Sequence, residues 1–361
     1  MDKKRIAIIV SVVAGVAILS TGVFFGVKHF FGENAPKIVL TEGFNENEIF
    51  RINTLGCELS EAKVYMRTSE DKYSRIFGNE IWSKDIGGTT LEDELKSTTL
   101  ARLAQIKAMN LLAISRGVTL TSDEEELTEK AAEKYFGSLS DECKSELGVD
   151  KDLITQMYKE YAIANKVYID VTRDINPEIS DDEARTISVK QILLKTYSLD
   201  GNGEKREFSD TEKQSVYQRA EQILSKAQSG EDFDALVEQY NEDTQSLYTF
   251  GKGTMPESFE EAAFNLDTDE VSGIVETEYG YHIIKCVSTF DREETDNNKT
   301  RILKQRKKEA FNQVYDEFVK TLHSNLNNEL WDKVEFSTGT EDADAEGFFD
   351  VYNKVFKVEE E

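Results

Sequence analysis

The run VSGIVETEYGYHIIK, Val271–Lys285, carries one of only three histidines in 361 residues. Its second half alternates like a β-strand. Tyr279, Tyr281 and Ile283 fall on one face, and His282, Ile284 and Cys286 on the other. His282 therefore shares its face with apolar neighbours and is expected to be partly buried. Taken alone, an imidazole in that setting satisfies a hydrogen bond in a core. The segments upstream change the reading.

Moving outward, GKGTMPESFEEAAFNL (Gly251–Leu266) places Pro256 at the head of a short helix. Met255 and Phe259 are four apart, which predicts a shared helix face. DFDALVEQY, 232–240, reads as another short helix, followed by Asn241-Glu242-Asp243. Ser209-x-x-Glu212 caps a longer helix with Val216, Ala220, Ile223 and Ala227 on one face and Gly230 at its end. TISVKQILL, 186–194, is rich in Ile, Val and Leu and reads as a strand. Ser180-x-x-Glu183 opens a helical turn after the break at Asn176-Pro177.

Taken in order, these segments resemble the parvulin family of peptidyl-prolyl isomerases over roughly 186–290. The series is strand, capped helix, G-x-D-F-x-x-L helix, N-E-D, G-x-M-x-x-x-F helix, and V-S-x-x-V-x-T-x-x-G-x-H-I-I. The resemblance implies cis-trans isomerisation of X-Pro peptide bonds, with no metal and no cofactor. It matches Met255 and Phe259 to an apolar pocket for the proline ring, with Leu247 and Phe250 as further walls. His282 matches the family's second histidine, Asp243 a position that is Asp or Cys, and Thr277 a hydroxyl in the same polar network. Residue by residue there is a plainer alternative: Met255 and Phe259 as helix core, and Asp243 as a solvated loop carboxylate. The chain departs from the pattern in three places. Gln191 stands where many parvulins have a first histidine, Tyr279 where serine is common, and the span from Asp243 to Met255 lacks the usual G-G-x-L-G. Gln191 keeps hydrogen-bonding capacity but not the charge or ring of histidine.

The flanks read as helices. Leu91–Ser115 carries apolar residues at Leu91, Leu95, Leu103, Ile106, Met109 and Ala113, which predicts an amphipathic helix capped by Gly117. Ser122-x-x-Glu125 is a capping-box pattern, and helical periodicity covers 124–146 and 151–173. Residues 28 to about 90 give no clear pattern. From about 299 a stripe of Leu303, Ala310, Phe311, Val314, Phe318 and Leu322 predicts a helix that packs back on 91–173. From Glu341 the tail has eight Asp/Glu against two Lys, yet holds Phe348, Phe349, Tyr352 and Phe356. Sequence alone leaves it open between disorder and docking.

The N-terminus places the chain. Ile6–Val27 runs twenty-two residues without a charge, about 33 Å as a helix, after Lys3, Lys4 and Arg5. That predicts an uncleaved membrane anchor with residues 1–5 in the cytoplasm and everything after it outside. A cleaved signal peptide would have a shorter apolar core and a small-residue cleavage site, which KHFFGENAPK lacks. The net charge of -27 excludes nucleic acid as a partner. Cys57, Cys143 and Cys286 are dispersed and odd in number, neither a disulfide framework nor a metal site. Few cysteines in an outer protein point to a Gram-positive cell.

The layout resembles PrsA-type foldases, with SurA-like chaperone domains as relatives. The expected fold is α+β: an anchor at 6–27, an all-helical chaperone domain at 28–178, a parvulin domain with a small antiparallel sheet inserted at 184–290, a returning helix at 298–335 and an acidic tail at 336–361. The expected partners are unfolded or partly folded secreted polypeptides and, through 6–27, a lipid bilayer; a homodimer is compatible with the sequence. The alternative is a non-catalytic holdase with a degenerate parvulin domain, which Gln191 favours. An adhesin or sensor would need repeats or a cytoplasmic output domain, and neither is present.

Overall fold

The computed structural model describes residues 43–85, 88–201, 204–334 and 346–358. The expected anchor at 6–27 and the five residues before it lie outside the described residues. Among the described residues, no helix is long and apolar enough to cross a membrane. The chain forms two compact units. One runs to Asp174 and resumes at Glu309; the other is Ile175–Lys308.

The first unit opens with β1 (Glu48–Ile52) and β2 (Leu55–Glu58), an antiparallel hairpin. Asn53 turns it at φ 48°, a left-handed geometry that Asn tolerates. There follow α1 (Leu59–Phe77), α2 (Leu91–Arg116), α3 (Ser122–Ser138), α4 (Asp141–Leu147) and α5 (Lys151–Thr172). The box that opens α3 is Thr121 with Glu124, one residue earlier than Ser122 with Glu125, because Thr121 is the extended residue that accepts Glu124 N–H. From Thr99 to Ala113 every residue of α2 except Arg102 and Leu111 is buried. It is therefore a central helix wrapped by neighbours, not the one-sided amphipathic helix its apolar spacing predicts. Gly117 ends it at φ 68°.

In the second unit, α6 (Asp181–Ala184) leads into β3 (Thr186–Lys195), then the small hairpin β4 (Tyr197–Leu199) and β5 (Lys205–Glu207). After these come α7 (Asp210–Gln228), α8 (Phe233–Tyr240), β6 (Leu247–Gly251), α9 (Glu257–Phe264), β7 (Val271–Thr277) and β8 (Gly280–Ser288). Four of these strands make an antiparallel sheet in the order β6-β3-β8-β7. The strand alternation read from the sequence holds. Tyr281 and Ile283 join a core with α7 and α8, while Ile284 and Cys286 join a second core with Phe250 and Phe259.

The chain continues through α10 (Arg292–Val319) to β9 (Ser324–Leu326), α11 (Asn328–Trp331) and α12 (Phe348–Phe356). β9 pairs with β1, so the first unit contains a three-stranded sheet. That corrects the all-helical expectation: the strands are three to five residues long and carry no clean alternation to read. Phe311 and Leu322 join the core that holds α2 and α5, as do Tyr315 and Val319. Part of the acidic tail also docks there. Phe348 is fully buried and stacks on Tyr158 with ring centroids 4.0 Å apart.

This core encloses three charges. Lys107 Nζ lies 2.9 Å from Glu61 Oε2 and 2.7 Å from Glu160 Oε2, and all three residues are buried. Burial raises the Glu61 carboxyl above its usual range against the pull of Lys107.

Candidate active site

The site residues come from four places in the second unit. Gln191 lies on β3 and His282 on the adjacent β8, both buried at 4% exposure. Thr277 closes β7, which pairs with β8 so that Val275 lies opposite His282. Asp243 sits in the loop after α8. That loop is stitched to β3. Leu193 N–H donates to Asn241 Oδ1 at 2.9 Å, Glu242 N–H to Leu193 O at 2.9 Å, and Lys195 N–H to Glu242 Oε2 at 2.9 Å. The Asn241-Glu242 pair thereby delivers Asp243 to Gln191.

The four side chains join in one hydrogen-bonded row. Gln191 Nε2 donates to Asp243 Oδ2 at 2.9 Å. Its Oε1 lies 2.7 Å from His282 Nδ1, and His282 Nε2 lies 2.7 Å from Thr277 Oγ1. A carboxylate only accepts, so the amide's NH2 faces Asp243 and its carbonyl faces the imidazole. Nδ1 then carries the ring proton, and Nε2 accepts from the Thr277 hydroxyl. Tyr279 N–H donates to the same hydroxyl oxygen at 3.1 Å. Burial holds the His282 pKa down at about 4, partly opposed by the Asp243 charge, so the ring is neutral at pH 7. A fifth residue completes the row: Tyr248 donates its hydroxyl to Asp243 Oδ2 at 2.7 Å. Sequence reasoning missed Tyr248 and Asn241. The signal for Tyr248 was the atypical segment after Asp243; Asn241 stood in the N-E-D of the series without a role assigned to it.

An apolar cluster lies against this row. The Phe259 and His282 rings meet edge to face, centroids 5.2 Å apart. Phe250 packs 5.9 Å from Phe259, and Met255 is partly buried against the same cluster. Met255 and Phe259 do not share a helix face, since α9 begins at Glu257 and Met255 sits in the preceding turn. Both nevertheless reach one cluster. Leu247 does not: it is 47% exposed on β6 and joins no core. Strand alternation turns it away from Tyr248 and Phe250.

This sheet, with a buried imidazole row beside an aromatic cluster, is the arrangement of a parvulin-type peptidyl-prolyl isomerase. Residues 192–288 match the model of the PPIC-type PPIase (rotamase) domain. Among curated proteins, the chain is 32% identical over 256 residues to foldase protein PrsA of Caldanaerobacter subterraneus subsp. tengcongensis, covering 68% of this chain and 74% of that protein. It is 29% identical over 230 residues to foldase protein PrsA of a Geobacillus species, covering 62% and 78%. A crystal structure of the Bacillus cereus peptidylprolyl isomerase PrsA aligns at 22% identity and TM-score 0.37, over 74% of this chain and 94% of that one. The chain belongs to the PrsA foldase family.

Proposed function

We propose that this isomerase is a membrane-anchored, extracytoplasmic foldase acting on X-Pro bonds of secreted polypeptides, with residues 6–27 as its anchor. The observation that carries the isomerase site is the contact of the His282 ring with Phe259, where the polar row meets the apolar cluster. Rotation about a peptide bond is resisted by about 18–20 kcal/mol of resonance. At the twisted transition state that resonance is lost and the carbonyl is less dipolar. An apolar surface disfavours the planar, dipolar ground state more than the twisted one, and placed hydrogen bonds then favour the twisted form. In this reading the partly buried Met255 and the buried Phe259 receive the proline ring, and Phe250 packs on Phe259. His282, Gln191, Asp243 and Thr277 set the polar surroundings of the rotating amide. Neutral imidazole suits this role, since no proton has to be transferred.

The test is isomerisation of an X-Pro peptide panel and proline-limited refolding by the full chain. Wild type should accelerate both, and Met255→Ala should lose most of the acceleration while staying folded. Equal rates with and without the chain would leave the holdase reading, which Gln191 favours. A holdase suppresses aggregation of a proline-free client whatever stands at 282.

A further inference from the structure

Tyr248 belongs to none of the motifs that identify the domain, yet it joins the site's two halves. Tyr248 and Phe250 are two apart on β6, hence on one face. Its ring packs against the Phe250–Phe259 cluster, and its hydroxyl reaches Asp243. Asp243 Oδ2 accepts two donors, Tyr248 OH at 2.7 Å and Gln191 Nε2 at 2.9 Å. Oδ1 accepts Thr244 N–H at 2.7 Å. Tyr248 thus shares Oδ2 with Gln191 and helps keep that oxygen turned toward the amide.

That fixation propagates. The row has two self-consistent directions. In one, Gln191 points its NH2 at Asp243 and His282 is protonated on Nδ1. In the other, the amide is reversed, Nε2 carries the proton, and Thr277 accepts. A carboxylate that stays within reach of Gln191 forces the first, because it only accepts; one that swings away leaves both open. We propose that Tyr248 is a positioning residue of the isomerase site: its phenol clamps Asp243, so the row keeps one direction and His282 presents an unprotonated Nε2 to Thr277. The inference rests on the reading of this row as the isomerase site. Burial and the Asp243 charge push the Tyr248 phenol up to about 12, so it remains a donor across the neutral range.

The experiment compares wild type with Tyr248→Phe, which keeps the ring and removes the hydroxyl. The full chain is 15N-labelled at histidine, and the His282 signals are assigned by their loss in His282→Gln. Wild type should show a single tautomer protonated at Nδ1 at pH 7. Tyr248→Phe should show mixed tautomers and a kcat on X-Pro peptides lower by about tenfold, the scale of one hydrogen bond to a charged group, with KM unchanged. A retained single tautomer overturns the clamp. Mixed tautomers with unchanged kcat overturn its role in the reaction. If wild type itself proves inactive on peptides, the proposed function falls, and the tautomer result alone judges the clamp.

Discussion

The two units each bury a polar cluster, and they do so by opposite means. In the first, Lys107 stands between Glu61 and Glu160, with one positive charge against two carboxyls in a closed core. In the second, His282 and Gln191 are buried but neutral, and the charge is pushed to the end of the row, onto Asp243. Buried ions need partners simply to remain buried. A buried neutral row keeps its donors and acceptors aimed without that burden. The first arrangement holds a scaffold together; the second keeps a site set beside an apolar surface.

The largest effect should come from breaking the charged cluster. Lys107→Met leaves two carboxyls facing each other and is expected to destabilise the first unit by about 3–5 kcal/mol, measured by urea unfolding. Next is acid. His282 titrates near 4 when folded and at 6.5 by reference, so between those values the unfolded chain binds a proton that the folded one refuses. Stability should therefore fall as pH drops from 6.5 to 4, by about 1.4 kcal/mol per unit and roughly 3 kcal/mol in all. His282→Gln should show a shallower decline over the same window. Third, Gln191→Leu strips the acceptor from His282 Nδ1 and a donor from Asp243. It is expected to cost about 1–3 kcal/mol in stability and to lower peptide isomerisation. The smallest effect belongs to Leu247→Ser, expected within about 0.5 kcal/mol and without change in peptide kinetics, because the side chain is exposed on the far face of β6.

What could be read in advance follows the same division. The second unit announces itself locally. Ser209 and Glu212 form their capping box, β3 occupies the run 186–194 that was read as a strand, and the two faces of β8 sort as their alternation predicts. Each of these signals lies within a few neighbouring residues. The first unit depends on distant pairings. β1 meets β9 across more than 270 residues, with Phe50 opposite Leu326, and nothing in EIFRI marks that partner. The spacing of α2 showed where a helix runs but not that other helices surround it. Within the site, residue types and order pointed to His282, Asp243, Gln191 and Thr277, and the row joins all four side chains. The role of Asn241 was hidden because it works by gripping Leu193 N–H, a partner 48 residues away. Met255 misled for another reason: a four-residue interval implies one face only if both residues lie inside the helix, and α9 starts two residues too late.

β8 acts as a party wall between two rooms. Its even-numbered residues furnish one and its odd-numbered residues the other, so a shift of a single position would evict the imidazole into the wrong chamber. Gly280 is the doorstop. At φ 140° its backbone runs so close to β3 that an added Cβ would sit 2.1 Å from Leu194 O. Any side chain at 280 would pry the strands apart at the point where their alignment begins, and the damage would surface two residues later, at His282.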